Sequence, residues 1–253
     1  MAVIKVALGF PWYAGPDPYC SVYFSEFLNY LGRLQERSAW LAKYPDTDLS
    51  TLSPLDSMNT DGKSEFTPDL IGTEFQFATA QEMFLSLVGM ARERIVERCL
   101  EWGADYIMWA DDDMILPNSA LLSLYRNQKD ICGALAFTSR DPIQPVIYKF
   151  KKIFDEQTQQ DGTDISVIED YERDALQKVD AIGSGVVLVK ADAYRKMGKP
   201  WYSSYGMGED IFRCHRAAQH GIEVWVDTRV KTHHKKAMPQ WHNEDVYLAT
   251  RPA

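Results

Sequence analysis

No stretch of this chain approaches the roughly 20 consecutive apolar residues that a membrane-spanning helix needs. Positive charge is in deficit: 27 Lys and Arg stand against 36 Asp and Glu, a formal net charge of −9. That disfavours a non-specific nucleic-acid binder, which needs a basic surface, although a local basic patch would not show in the total. Cysteine is scarce: Cys20, Cys99, Cys132 and Cys214 lie far apart with no CxxC spacing, so buried free thiols in a reducing cytoplasm are expected. Residues 1–10 have neither the basic segment nor the small-residue cleavage site of a secretory leader and read as a first strand, and the expected location is cytoplasmic. At 253 residues, 45% apolar and 25% charged, the composition is that of an ordinary soluble protein. That length suffices for one large domain or one domain with an insertion.

What is there is organised around residues 105–116. Residues 106–110 have the length and composition of a buried strand. They end in three consecutive carboxylates, Asp111, Asp112 and Asp113, with another apolar stretch and Pro117 beyond. Three adjacent negative charges without a basic neighbour repel one another, and a divalent cation removes that cost. Hard oxygen ligands suit Mg²⁺, Mn²⁺ or Ca²⁺. Alternation along an extended segment lets Asp111 and Asp113 address one ion while Asp112 points elsewhere. The plain alternative is an exposed acidic turn that stops a strand. Such turns are usually flanked by polar residues, and this one is not.

Residues 3–10 form an apolar strand that breaks at Pro11, Trp12 and Tyr13, whose aromatics suit either base stacking or packing. Residues 19–35 have helical spacing, whereas residues 43–70 have no period and read as an irregular excursion. A helix is expected over residues 79–102, with Val88, Ala91, Ile95, Cys99 and Trp102 on one face and a stop at Gly103. Arg92 lies on that helix, where a solvated or salt-bridged arginine is the ordinary case. After the acidic triplet come a helix capped at Asn118 or Ser119, a strand over 130–137 and an edge strand over 145–150. Residues 151–178 are polar, with 157–164 expected as surface loop. Gly183, Ser184 and Gly185 precede a buried strand run; glycines there permit a bulge or the close approach of a ligand. Gly208, Glu209 and Asp210 open a helix over 211–220, where capping is the simplest role for two carboxylates. Residues 222–234 alternate as a strand ending in His233 and His234.

In this order the features resemble the metal-dependent glycosyltransferases of the GT-A fold, nearest the family-2-like enzymes of bacteria and phages, over residues 1–237. The segment ending Ala110-Asp-Asp-Asp113 looks like that fold's DxD motif, and Gly183-Ser-Gly185 is similar to its acceptor-side glycine loop. Gly208-Glu-Asp210 looks like the xED motif, and the strand into His234 resembles the one bearing a C-terminal metal histidine. The resemblance implies an α/β fold with a mixed central sheet flanked by helices; the excursion over 43–70 and the polar loop over 151–178 match nothing diagnostic in it, and residues 238–253 are expected as a tail. It implies a nucleotide-diphosphate sugar as donor, first a UDP-sugar and next a GDP-sugar, with Mn²⁺ or Mg²⁺ as cofactor. Asp111, Asp113 and His234 would be metal ligands, with His233 the alternative to His234. Pro11, Trp12, Tyr13, Arg92 and Asp112 would contact the nucleotide sugar. Asp210 would be the general base of an inverting transfer, ionised because a helix N-terminus depresses its pKa. Glu209 would orient the acceptor, and Gly183, Ser184, Gly185 and Gly208 would line its site. Retaining enzymes share this fold and metal motif, so inversion rests on Asp210 alone.

Other classes account for less of the chain. A phosphohydrolase using Asp111 and Asp113 would carry them after the first strand and leaves Gly208-Glu-Asp210 and the histidines unexplained. A Ca²⁺ loop of the helix–loop–helix kind needs a glycine and terminal glutamate that are missing. A nucleotidylyltransferase needs a glycine-rich loop after the first strand, also missing. A non-catalytic sugar-nucleotide-binding protein would not keep the whole motif set. The acceptor is open between a glycan, a protein, a small molecule and a modified base of phage DNA. The last needs a basic patch, for which residues 149–152 and 231–236 are the only clusters.

Overall fold

The computed structural model describes residues 2–12, 18–53, 55, 70–83, 87–139, 141–155, 160–203, 206–235 and 241–250. In chain order they form β1 (Ala2–Trp12), α1 (Pro18–Lys43), β2 (Thr73–Met83), α2 (Val88–Glu101), β3 (Tyr106–Ala110), β4 (Met114–Ile115) and α3 (Ala120–Arg126). There follow β5 (Ile131–Leu135), β6 (Ile147–Asp155), β7 (Gln160–Val167), β8 (Leu176–Val179), β9 (Ala181–Ile182), β10 (Val186–Lys190) and α4 (Ala191–Met197). The chain continues through α5 (Glu209–Gln219), β11 (Val224–Lys231), β12 (His233–Lys235), β13 (Trp241–His242) and α6 (Glu244–Thr250).

β3 is buried at all five positions, and strand alternation divides it between two cores. Tyr106, Met108 and Ala110 pack into a core covered by α1 and α3, whereas Ile107 and Trp109 pack into one covered by α2, α4 and α5. The seven-stranded sheet between these layers has the order β2-β1-β3-β10-β5-β11-β8. β1 runs parallel to β2 and β3, β10 is antiparallel to β3 and β5, and β11 is parallel to β5. The expected fold class, a mixed central sheet flanked by helices, is therefore the one observed. The carboxyl ends of β1, β3, β5 and β11 share one edge with the start of β10. There the buried strands stop and backbone groups lose their sheet partners, so polar side chains collect.

Several local expectations are corrected. Residues 79–83 are not the start of a helix but the second half of β2, in register with β1 from Leu8↔Thr79 to Trp12↔Met83. Phe75 and Phe77 alternate with polar residues, and β1 takes them as its outer neighbour; the helix begins only at Val88. The polar stretch 151–178 is also largely strand. β6 and β7 form a continuous hairpin ladder from Tyr148↔Val167 to Asp155↔Gln160. Lys149, Lys151 and Lys152 on it are exposed. Main-chain pairing does not need apolar side chains, so a largely solvated hairpin, with Tyr148, Phe150 and Ile165 against the core, carries a weak hydrophobic signature. Of the expected tail over 238–253, residues 241–250 pack on the body, and the rest lie outside the described residues. β13 pairs with β12, Tyr247 is buried with its ring 5.2 Å from Phe137, and Glu244 accepts from Tyr171 Oη at 2.9 Å. Of the 43–70 excursion, residues 49–51 make a 3₁₀ turn, while residues 54 and 56–69 lie outside the described residues.

The four cysteines are buried and form no disulfide with one another, and burial pushes the Cys99 and Cys132 thiols up to about 12. Among the described residues no helix is long and apolar enough to cross a membrane.

Candidate active site

Asp111 leaves β3 at the sheet edge, where its N–H donates to Gly185 O at 2.9 Å. Its parity matches Ile107 and Trp109, so its side chain turns toward α2. There Arg92 Nη2 donates to both carboxylate oxygens, at 2.8 and 3.1 Å. Arg92 Nε lies 3.5 Å from Glu209 Oε1 at the start of α5, so one guanidinium joins the acidic turn to the Gly208-Glu-Asp210 segment. Arg92 is 2% exposed and rests 5.1 Å above the Trp109 ring. Trp109 in turn occupies space that Gly9, its cross-strand partner on β1, leaves free: a Cβ there would come within 2.8 Å of the indole. Burial pushes the Asp111 carboxyl above its ordinary range, Arg92 opposes this, and Asp113 and Glu209 add to it.

The chain turns directly after β3, with Met114 N–H donating to Asp111 O at 3.2 Å, so strand alternation does not extend across the acidic triplet. Asp113 lies beyond that turn, yet stays near enough to Asp111 for the two carboxylates to repel each other. β4 then pairs with β12 in the register Met114↔His234, and Lys235 N–H donates to Asp113 O at 2.9 Å. That register brings His234, rather than His233, to Asp113: Nε2 lies 3.0 Å from Asp113 Oδ2. His234 Nδ1 lies 2.7 Å from the Phe137 carbonyl oxygen, which accepts only, so Nδ1 carries a proton and Nε2 is the nitrogen that faces the carboxylate. Burial pushes the imidazole pKa down, but the Asp113 carboxylate, the Phe137 carbonyl and Asp111 outweigh it, and the net direction is up.

These groups fit a divalent cation by their donor chemistry: one carboxylate oxygen and one imidazole nitrogen whose other ring nitrogen is fixed by a carbonyl. Among the described residues no set of three or more His, Cys, Asp or Glu side chains is arranged to hold a metal. Of the expected trio, Asp113 and His234 are in contact with each other, and Asp111 is held by Arg92. Few protein ligands, with water and substrate phosphate completing the shell, is the usual manner of Mg²⁺ binding at phosphate sites.

Asp210, in the first turn of α5, accepts from Ile211 N–H through Oδ1 at 2.7 Å. Its Oδ2 faces Gly183, where a Cβ would lie 3.6 Å from it and 2.7 Å from Val146 Cγ1. A Cβ on Gly208 would stand 2.9 Å from Asp210 Oδ1. Glycine at both positions leaves the carboxylate its room. The expected depression of the Asp210 pKa by the helix terminus is reversed. Burial raises it, Glu209 adds to the rise, and the Ile211 N–H, Arg213 and Arg92 oppose it. Ser184 is 3% exposed, its hydroxyl without a hydrogen-bond partner.

Asp111, Arg92, Glu209, Asp210, Gly183, Gly185, Asp113 and His234 therefore meet at one edge of the sheet. Pro11 and Trp12 end β1 at that edge, Asp112 sits partly exposed in the turn, and Tyr13 lies outside the described residues. Arg92, expected to contact the nucleotide sugar, is the buried countercharge of Asp111 and Glu209. Sequence reasoning missed Phe137, which acts through its carbonyl and so leaves no trace in residue type. It also missed Trp109 as the support of Arg92, although its parity with Asp111 along β3 was a usable signal. Of the two basic clusters, the 231–236 one is spent in part: Lys231 Nζ pairs with Glu244 at 2.6 Å and Asp174 at 3.4 Å.

No protein-family model and no curated protein matches this chain. Among solved structures it is similar to A197 from STIV, at 12% identity over 96% of this chain and 91% of A197, with a TM-score of 0.51. At that identity the likeness is one of fold. It is also similar to S. aureus TarS 1–349, solved with UDP-GlcNAc, at 10% identity over 99% of this chain and 62% of that one, with a TM-score of 0.45. GalNAc-T7, solved with UDP, GalNAc and Mn²⁺, matches at 8% identity over 94% of this chain and 45% of its own, with a TM-score of 0.45. These last two likenesses go no further than outline.

Proposed function

We propose that this protein is a metal-dependent glycosyltransferase of the GT-A type, moving a sugar from a nucleotide-diphosphate sugar to an acceptor hydroxyl with inversion. The observation that carries this reading is the Arg92 bridge between Asp111 and Glu209, which draws a donor-side acidic turn and an acceptor-side carboxylate pair into one site. Asp113 and His234 would hold Mn²⁺ or Mg²⁺, and a cation there supplies positive charge to a diphosphate leaving group. Asp111, neutralised by Arg92, keeps the acidic turn compact. Asp210 takes the proton from the acceptor hydroxyl through Oδ2; burial raises its basicity, which favours proton abstraction near neutral pH. Glu209 orients the acceptor, and the glycines at 183 and 208 keep the approach open. A UDP-sugar is the first donor to try and a GDP-sugar the second.

Calorimetric titration with a panel of nucleoside diphosphates and nucleotide sugars, with Mn²⁺ and then with chelator, tests the reading. Metal-dependent binding of one nucleotide, abolished by Asp113→Ala, supports it and names the base. Folded protein that binds none of the panel removes it.

A further inference from the structure

Arg213, one turn beyond Asp210 on α5, has an unusual environment. Its side chain is 0% exposed, and among the described residues no carboxylate lies within ion-pair distance of it. Nη2 reaches Ile182 O at 3.4 Å and Cys214 Sγ at 3.5 Å, and Nε and Nη1 have no hydrogen-bond partner. Its guanidinium carbon stands 5.9 Å from the Tyr202 ring. Arginine does not discharge by losing its proton, so this is a fully buried positive charge, and leaving one unpaired destabilises the fold. A core that needed only volume at this position would hold methionine or leucine.

Two connections lead from Arg213 to the same carboxylate. Helix geometry sets residues three apart side by side, about 5–6 Å between Cβ atoms, which makes Asp210 its neighbour on α5. The carbonyl it contacts belongs to Ile182, next to Gly183, whose missing side chain makes room for Asp210 Oδ2. We propose that Arg213 is a positioning residue for Asp210: it fixes the Ile182–Gly183 backbone against the carboxylate and supplies the charge that holds it ready as a base. This rests on the reading of Asp210 as the base. The other titratable groups facing Asp210 are Glu209 on α5, Arg92 on α2 and Tyr148 on β6, and Tyr148 stays neutral, its phenol raised to about 12 mainly by burial. Arg92 is committed to Asp111 and Glu209, which leaves Arg213, among the described residues, as the cation near Asp210 without another carboxylate.

The test is a carboxyl-carbon NMR titration of Asp210 in the full-length protein, assigned by loss of the signal in Asp210→Asn. In Arg213→Met the midpoint should rise by about one unit or more, the effect of removing an opposite charge at this range. In Arg213→Lys it should return to within about half a unit of wild type. The acid limb of transfer should move with it. An unmoved midpoint in folded Arg213→Met overturns the proposal. If Arg213→Met does not fold, Arg213→Lys decides alone: a rise of a full unit with the charge retained also overturns it. Transfer-active Asp210→Asn removes the base reading and this proposal with it, whereas an unmoved midpoint beside inactive Asp210→Asn removes the Arg213 proposal only.

Discussion

Replacing Arg92 with methionine keeps most of the side-chain volume and removes the charge, so it isolates what the guanidinium does. The Arg92 side chain is 3% exposed, and those of Asp111 and Glu209 are 28% and 18% exposed. Two contributions are lost. The stacking on Trp109 amounts to about 1–2 kcal/mol when desolvated and does not depend on pH over the working range. The rest comes from stranding carboxylates, and with the stacking the total for a broken buried pair is about 3–5 kcal/mol. The second part has a pH signature. Asp111 in the folded protein already titrates above its ordinary range because burial outweighs Arg92. A carboxyl raised in this way contributes stability that is full below its unfolded pKa and is lost as pH rises through the folded one. Without Arg92 the rise is larger, each further unit adding about 1.4 kcal/mol to the loss at high pH. Urea unfolding of Arg92→Met against wild type should therefore show a small deficit near pH 4.5 that widens toward pH 8. A deficit below about 1 kcal/mol at pH 8, or one equal at both pH values, refutes the idea that Arg92 is the countercharge of this site.

Gly9→Ala drives a methyl to 2.8 Å from the Trp109 ring and should cost about 1–3 kcal/mol in urea unfolding. Gly32→Ala on α1, with nothing within 4 Å of its Cβ, should stabilise by up to about 1 kcal/mol. His234→Ala should weaken Mn²⁺ binding at least tenfold by calorimetry, with His233→Ala near wild type; the reverse ranking would reassign the ligand. Transfer should have an acid limb above the ordinary aspartate range of about 3.9, because the ionised base is lost as pH falls through the raised Asp210 pKa. Glu209→Gln removes a repelling charge, so that limb, measured at saturating acceptor, should move to lower pH.

The parts of this site legible in the sequence were those that break a local pattern. An acidic triplet after five apolar residues, glycines before a buried strand and histidines at the end of an alternating one each stand out against their surroundings. The sheet and its helices followed from periodicity wherever both faces were buried, as in β3. Periodicity failed at β2, where Phe75 and Phe77 are too short a signal to outweigh the helical spacing just beyond, and at β7, where Ile165 and Val167 are the apolar residues of an otherwise polar strand. Partner choice was not legible either. Arg92 has the sequence context of a surface arginine, and only the parity of Asp111 with Trp109 turns it inward. Strand alternation suggested that Asp111 and Asp113 share one ion, but a turn begins at Asp111, so alternation does not describe the triplet.

The pairing of β12 with β4 has a consequence for how the protein comes into being. Asp113 and His234 are 121 residues apart, and β13, still later in the chain, pairs with the other side of the histidine strand. At about 5–20 residues per second on the ribosome, the acidic turn waits on the order of 6–24 seconds for its histidine. The centre that would grip a nucleotide is thus assembled only after β12 has been made, and a nascent chain ending short of it carries the carboxylates without their histidine.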